Sequence, residues 1–159
     1  HQFIVELAKD KALKEDIHFV LIGEGPLKSH IARQISEYQL HDKITLLPAT
    51  DRIADLLPCM TGFIMPSLFE GVSVALLEAQ AASLSCLISN TIAPECDMKL
   101  GLIHFLDLQS KRPWLEHLNN LQPTAISDVT IHHAFDQQGY SIQSVLTQLY
   151  AIYTQTRAS

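Results

Sequence analysis

Residues 66–80 read Pro-Ser-Leu-Phe-Glu-Gly-Val-Ser-Val-Ala-Leu-Leu-Glu-Ala-Gln and follow directly after the apolar run 62–65. This pattern predicts a strand over 62–66, a turn, and a helix that opens on Gly71 and extends to Ala82. Open α/β folds bind phosphates and nucleotides at such strand-to-helix turns. The stretch therefore predicts a fold class and, at the same point in the chain, a ligand site.

Two carboxylates, Glu70 and Glu78, lie at the start and in the middle of this predicted helix. If both residues are helical, they stand ~12 Å apart along the helix axis. A glycosidase acid/base pair needs carboxyl groups about 5–9.5 Å apart, so the spacing better suits contacts with two ends of an extended ligand. Glu78 also lies in the apolar stretch 74–79, where an unpaired carboxylate is costly, and a ligand hydroxyl would explain its presence. The plain alternative is an acidic residue at a helix start and a solvated glutamate.

The backbone between the two glutamates offers a place for phosphates. A diphosphate could be held there by the N–H groups of Gly71, Val72 and Ser73 together with the helix dipole. A second turn, 23–26, joins an apolar run to a helix through two glycines, Gly23 and Gly25. It either lets backbone N–H groups approach a phosphate or sugar, or is an ordinary strand-to-helix turn.

Strands and helices alternate along the rest of the chain on short connections. This order predicts an α/β fold, a Rossmann-like doubly wound parallel sheet of about five to six strands flanked by helices. The first helix has no strand before it, although a βαβ unit starts with one, so we expect the first strand upstream of His1 in a longer protein. The predicted strands are 17–23, 43–47, 62–66, 85–89 and 102–106. The predicted helices are 2–14, one that includes Leu27 to Leu40, 51–57 with Asp51 as its cap, 71–82, 111–120, 125–137 and 142–156.

Composition narrows the class of protein. The chain has 159 residues, of which 47% are hydrophobic and 18% charged, and this indicates one globular domain. A net charge of −6 argues against nucleic acids or anionic membranes as partners bound through bulk electrostatics. Three cysteines without metal-site spacing indicate a reduced, cytosolic compartment, and Cys86 in an apolar run is predicted to be buried.

Three motifs together carry a resemblance to a known family: Pro66-Ser67-x-x-Glu70-Gly71, Glu78-Ala79-Gln80-Ala81-Ala82 and Thr91-Ile92-Ala93-Pro94-Glu95. They resemble the C-terminal, donor-binding half of the GT-B glycosyltransferases, in the large retaining group called family 4 or group 1. That family's hallmark is two glutamates separated by seven residues, and Gly23-x-Gly25-Pro26 is similar to its first glycine-rich turn.

The resemblance covers residues 2–107 by motif, and residues 139–142 with the following helix are similar to the family's usual ending. It implies that residues 1–159 form a single nucleotide-sugar-binding domain, one half of a GT-B fold, truncated at its N-terminus. The first strand and the acceptor-binding domain would be missing. Within the group, residues 78–82 and 86–89 most resemble bacterial capsular or exopolysaccharide transferases.

The resemblance also implies roles for individual residues. Glu78 would hold the ribose of the donor, and Glu70 would be the catalytic residue at the transferred sugar. The remaining substrate-binding residues would be Gly23, Gly25, Gly71, Val72 and Ser73, with Thr91 and Glu95 lining a nearby loop. Enzymes of this fold generally need no bound metal, and we expect neither a metal nor a cofactor here.

The implied reaction transfers a hexosyl unit from a nucleoside diphosphate sugar to a polysaccharide or lipid-linked acceptor, with retention of configuration. The implied partners are this donor and an N-terminal acceptor-binding domain of the same protein, so the fragment alone should be inactive. The expected location is cytoplasmic, and peripheral association with the inner face of the membrane through the missing part is left open. Two alternatives remain: an enzyme resembling the sugar-nucleotide 2-epimerases, and a non-catalytic nucleotide-sugar-binding domain.

Overall fold

The computed structural model describes residues 1–155 and the side chains of residues 1–151. The strands are β1 Phe19–Ile22, β2 Ile44–Leu47, β3 Gly62–Met65, β4 Ser85–Ser89 and β5 Ile103–Leu106. The α-helices are α1 Gln2–Ala8, α2 Lys28–Glu37, α3 Ile53–Leu56, α4 Val74–Ala81, α5 Lys111–Asn119, α6 Asp128–Gln137 and α7 Ile142–Gln155. Short 3-10 turns occupy Leu57–Cys59 and Pro94–Cys96. The last residue of the predicted closing helix, Thr156, lies outside the described residues.

All pairings between these strands are parallel, which confirms the predicted α/β class. The strands form two groups, however. One group pairs β1 with β2, and the other has the order β3-β4-β5. Among the described residues no strand joins β1 to β3, so the predicted single sheet is present as two hydrogen-bonded parts.

Strand β4 lies at the centre of the larger group, and all five of its residues are buried. Its alternating side chains point to opposite faces, as in any strand. Leu87 belongs to a core cluster that includes Leu7, Phe19 and Trp114. Cys86 and Ile88 belong to a second cluster, with Leu76 and Ala79 of α4. The sheet therefore separates two apolar layers, each covered by helices, as a doubly wound fold requires.

The predicted burial of Cys86 is confirmed, since its side chain is fully buried. Burial raises the pKa of the Cys86 thiol to about 12 because the thiolate would lose its hydration. Cys86 is thus a core side chain and not a nucleophile.

The first helix is shorter than predicted, because α1 ends at Ala8 and not at residue 14. The chain then turns, and the Asp10 carboxylate accepts a hydrogen bond from the Ala12 N–H at 3.0 Å. Such an aspartate turn competes with helix continuation. Leu13 is still buried, so its apolar character reflects a core contact made from the turn.

The cap predicted for the third helix is also wrong. Residue Arg52, not Asp51, precedes α3, and no side chain caps the helix start. The Arg52 side chain instead donates to Asp55 at 2.9 Å, an ion pair between exposed groups. Exposed ion pairs of this kind contribute little to stability, which is consistent with a helix of only one turn.

The connection from α4 to β4 is a Schellman motif. The Leu84 N–H donates to Ala79 O at 3.0 Å and the Ser83 N–H to Gln80 O at 3.0 Å, and Ser83 has a φ of 60°. Glycine is preferred at this left-handed position because a Cβ is strained there. The Ser83 hydroxyl accepts a hydrogen bond from the Ile126 N–H at 2.9 Å, which offsets part of the strain.

We predict that Ser83→Gly is close to neutral, because relief of strain offsets the lost hydrogen bond. Ser83→Ala keeps the strain and loses the bond, so it should unfold with about 1 kcal/mol less stability than Ser83→Gly. Urea unfolding of the two variants in the same protein measures the difference. Equal stabilities, or an alanine variant more stable than the glycine one, would contradict this account of the turn.

Candidate functional site

Parallel strands place the loops that follow them at one edge of the sheet. The turn after β1, the loop 66–73 after β3 and the loop 90–98 after β4 therefore share the carboxyl edge. A cavity of about 1100 Å³ runs along the whole length of β1 and β3 and reaches this edge at Gly23 and Met65. Gly23, Gly25 and Glu78 are among its lining residues, whereas the other predicted site residues, Glu70, Gly71, Val72, Ser73, Thr91 and Glu95, are not.

Glu78 lies on the exposed face of α4, so the premise that its carboxylate is in apolar surroundings is wrong. The apolar residues beside it in sequence, Leu76 and Ala79, are fully buried on the opposite face of the helix. Exposure removes the desolvation argument but leaves the carboxylate free to accept hydrogen bonds inside the cavity. Its position in the cavity, and not its burial, is what makes it a candidate.

The start of α4 also differs from the prediction. The helix begins at Val74, and Ser73 is its cap, with the Ser73 hydroxyl accepting from the Leu76 N–H at 3.4 Å. Glu70 and Gly71 therefore precede the helix, and the ~12 Å separation along a helix axis does not apply to Glu70. The backbone N–H groups of Val74 and Ala75 therefore lie in the first turn of α4. N–H groups in the first turn of a helix have no carbonyl partner within the helix.

The backbone requires glycine at some of the predicted site positions and not at others. Gly23 has a φ of 151°, which residues with side chains rarely adopt, and a Cβ there would meet no atom within 4 Å. The space beside the turn after β1 is thus open to a ligand. Gly71 has no positive φ, and a Cβ added to it would also meet no atom within 4 Å. The loop itself therefore does not require a glycine at position 71.

Glu70 is half-buried and is oriented by its own loop. Its carboxylate accepts a hydrogen bond from the Ser67 hydroxyl at 3.1 Å. The Thr91 hydroxyl donates to the carbonyl of Ser67 at 2.8 Å, and Thr91 also contacts the Ser89 hydroxyl at 2.6 Å. Thr91, predicted as a neighbour of the site, therefore positions the loop that carries Glu70. Glu95 is exposed in the turn Pro94–Cys96.

A residue that sequence reasoning missed holds these loops together. Gln80 is fully buried on α4, and its amide nitrogen donates to the carbonyls of Leu76 at 3.2 Å and Cys96 at 2.8 Å. Its amide oxygen accepts from the Met98 N–H at 2.9 Å. The Cys96 thiol in turn contacts the carbonyl of Gly71 at 3.4 Å. The signal in the sequence was a polar side chain at a core position of an apolar helix, which needs internal partners.

The charges near the turn after β1 are balanced locally. Lys28 Nζ lies 2.7 Å from the carboxylate of Glu24, which lines the cavity.

Among the side chains of residues 1–151, no group of three or more His, Cys, Asp or Glu could hold a metal ion. Across the described helices, none has the length and apolar character that crossing a membrane requires.

We predict that Gln80→Met, which nearly conserves volume, destabilises the protein by about 2–4 kcal/mol. It removes three hydrogen bonds and leaves the Cys96 carbonyl and the Met98 N–H buried without partners. Urea unfolding measures the loss, and faster amide exchange at Met98, whose N–H bonds Gln80, would report the loosened loop. Gln143→Met, at an exposed position, is the matched control and should change stability by less than about 0.5 kcal/mol. A Gln80 variant as stable as the control would refute the structural role.

Comparisons with known proteins address the family of the chain. The family model described as glycosyl transferases group 1 matches residues 1–104. The protein EpsF of Bacillus subtilis, named as a glycosyltransferase, is 37% identical over 111 residues, covering 68% of this chain and 28% of EpsF. An Escherichia coli UDP-Gal:alpha-D-GlcNAc-diphosphoundecaprenol alpha-1,3-galactosyltransferase is 32% identical over 108 residues, covering 65% of this chain and 28% of that enzyme.

A solved structure extends the likeness over nearly the whole chain. A mutant of TarM from S. aureus, in complex with Fondaparinux, alpha-GlcNAc-glycerol and UDP, superposes with a TM-score of 0.69 at 21% identity. The match covers 96% of this chain and 32% of TarM, so it supports the predicted GT-B fold. The chain spans 28% of the length of each of the two curated relatives described above. Because the family model matches well over half of its residues, this chain belongs to the group 1 glycosyl transferases.

Proposed function

We propose that this chain is the donor-binding domain of a retaining glycosyltransferase. The intact enzyme would transfer a hexosyl unit from a nucleoside diphosphate sugar to a polysaccharide or lipid-linked acceptor, as part of capsule or exopolysaccharide synthesis. The observation that carries the proposal is the cavity along β1 and β3, which includes Gly23, Gly25 and Glu78 in its lining and reaches the carboxyl edge of the sheet. Nucleotides bind at this edge in open α/β sheets.

Glu78 is proposed to hold the ribose. Its exposed carboxylate can accept hydrogen bonds from two vicinal hydroxyls, and an acceptor-only group suits a sugar better than a phosphate. The open space beside Gly23 and Gly25 leaves room for the ligand against the backbone. The nucleotide would then lie in the cavity between the turn 23–26 and the carboxylate of Glu78.

The diphosphate is proposed to lie at the start of α4. The loop residues Gly71, Val72 and Ser73 and the first-turn N–H group of Ala75 supply backbone donors, and Ala75 lines the cavity. The helix dipole adds partial positive charge at this point. These donors would stabilise the leaving diphosphate as its charge develops, without a metal ion in the proposed mechanism.

Glu70 is proposed as the catalytic residue at the transferred sugar. The Ser67 hydroxyl restrains its carboxylate, and Thr91 restrains Ser67. A carboxylate held in this way positions the sugar and favours positive charge at its anomeric carbon. Thr91 is thus proposed to position Glu70 through Ser67. Glu95 is proposed only as a neighbour of this loop.

The substrate class rests on relatives of the chain. The E. coli relative is named for a UDP-linked galactose donor and a diphosphoundecaprenol-linked acceptor, which favours a lipid-linked acceptor here. The acceptor would bind a second domain of the same protein, and residues 1–159 alone would not turn over. A cytoplasmic position, with peripheral attachment to the membrane through the rest of the protein, would match such an acceptor.

We predict that Glu78→Ala weakens binding of the nucleoside diphosphate to the intact protein by about tenfold or more, the equivalent of about 1.4 kcal/mol. Glu70→Ala should weaken it by less than about threefold, because its contact is with the sugar. Titration calorimetry with UDP and GDP measures both, and Glu37→Ala on the exposed part of α2 is the control. Equal and negligible effects of both substitutions would count against the assigned roles.

Turnover separates the proposed activity from its alternatives. We expect the intact protein to transfer sugar from UDP- or GDP-hexoses to a lipid-linked acceptor. NMR of the product should show the same anomeric configuration as in the donor. Residues 1–159 alone should be inactive. Isomerisation of the donor without an acceptor would indicate an epimerase, and binding without turnover would indicate a non-catalytic domain.

A further inference from the structure

Exposed apolar side chains flank the proposed catalytic glutamate in the sequence. Leu68 and Phe69, the two residues before Glu70, are 82% and 85% exposed. Val72 and Val74, which follow Glu70, are also more than half exposed. Isolated apolar residues at a surface are ordinary, but several together mark a contact site. We call Leu68 and Phe69 the apolar pair, because they are the most exposed of this group.

A hydrogen bond closes a short turn around the apolar pair. The Ser67 hydroxyl, on the N-terminal side of the pair, donates to the carboxylate of Glu70, on its C-terminal side, at 3.1 Å. The Thr91 hydroxyl donates to the carbonyl of Ser67 at 2.8 Å, which ties the turn to the loop after β4. Because the turn is already restrained, a ligand that contacts the pair needs to order it little further, which favours binding.

The apolar pair lies outside the cavity proposed for the donor. The lining of that cavity includes Gly23, Gly25 and Glu78, but it includes neither Leu68 nor Phe69. A transferase has to hold a second substrate beside the sugar that leaves the donor. The surface next to the proposed catalytic glutamate, but outside the donor cavity, is therefore available to the acceptor.

The charges of this part of the chain favour an uncharged ligand group over an anionic surface. Between Arg52 and Lys99 the sequence has no Lys or Arg and has five acidic residues. This stretch includes the loop 66–73, which carries the pair, and the loop 90–98, which is bonded to it. Anionic membranes attract segments rich in Lys and Arg, so a membrane surface is disfavoured as the occupant.

A sugar ring has the chemistry that matches an apolar pair beside a carboxylate. One face of a pyranose ring presents mainly C–H bonds, and its hydroxyls lie around the edge. The face of the Phe69 ring carries partial negative charge, which attracts the hydrogens of such C–H bonds. The adjacent Glu70 carboxylate only accepts hydrogen bonds, so it suits a hydroxyl at the edge of the sugar.

We infer that the apolar pair is a platform for the acceptor, with the terminal pyranose of the acceptor stacked on the ring of Phe69 and Leu68 packed beside it. This inference rests on the proposed function, because it takes Glu70 to lie at the transferred sugar. It names the part of the acceptor that this domain contacts, a neutral sugar ring with one C–H face free. The carrier of that sugar, a polysaccharide or a lipid, does not affect the contact.

Acceptor kinetics of the intact protein test the inference. We expect Phe69→Ala to raise the KM for a polyprenyl-diphosphate-linked sugar acceptor by at least about tenfold, because the stacking contact is lost. The KM for the UDP- or GDP-hexose, and kcat at saturating acceptor, should change by less than about threefold. Phe69→Trp keeps an aromatic face and should stay within about threefold of the unsubstituted protein, whereas Phe69→Leu should behave like Phe69→Ala. Val129→Ala, at a position on α6 that is 79% exposed, is the control and should change neither KM.

Three outcomes would overturn the acceptor platform. An acceptor KM that is unchanged in Phe69→Ala would do so and would leave the proposed transfer reaction intact. An equal rise in the donor KM would place the ring at the donor and not at the acceptor. Binding of the protein to vesicles that contain phosphatidylglycerol, if lost in Phe69→Ala, would show that the pair contacts a membrane instead.

Saturation-transfer NMR provides a second readout that does not need turnover. The aromatic protons of the intact protein are irradiated in the presence of UDP and the methyl glycosides of glucose, galactose and N-acetylglucosamine. We expect transfer to the C–H protons of at least one glycoside, and at least about fivefold less transfer in Phe69→Ala than in Val129→Ala. No transfer to any glycoside, or equal transfer in the two variants, would overturn the inference. Transfer that depends on Phe69 in a protein without turnover would refute the proposed activity and support the sugar platform.

Discussion

The parallel pairing of β4 with β3 on one side and β5 on the other is the constraint on which the structure depends. It buries β4 completely and sends Leu87 into one apolar layer and Cys86 and Ile88 into the other. Because all the strands run the same way, their carboxyl ends meet at one edge. This shared edge is why the loops that carry Glu70 and Thr91 are neighbours, although the two residues are far apart in the sequence.

Polar contacts between loops and helix then fix the geometry of that edge. Gln80 ties the loop after β4 to α4, and the hydroxyl of Thr91 ties the same loop to Ser67. The Gln80 bonds are buried, where an unpartnered polar group is costly and a satisfied one holds a single geometry, whereas the bond from Thr91 to Ser67 lies at the surface. Glu78 is different, since its carboxylate lies on the open face of the helix. One glutamate is therefore restrained and the other accessible, which suits one position at the reacting sugar and one at a hydroxylated part of the donor.

Much of this arrangement was predictable from the sequence. The apolar run Ser85–Ser89 predicted β4 with its correct ends, and the alternation of strands and helices predicted the parallel sheet. The errors have local physical causes. The start of α4 was placed at Gly71, whereas the Ser73 hydroxyl caps the helix at Val74. Glu78 was expected in apolar surroundings because its neighbours in sequence are apolar, but a helix turns those neighbours to its other face. Gln80 was missed because its partners, Cys96 and Met98, come from a distant loop.

The central claim is that a nucleoside diphosphate binds between the turn after β1 and the start of α4. The most direct measurement is NMR chemical-shift mapping of the backbone amides of the intact protein during titration with UDP and with GDP. The account predicts saturable shifts at Gly23, Gly25 and Ala75, with little change on α5 and α6. Saturable shifts confined to another surface, or no shifts at millimolar nucleotide, would contradict it.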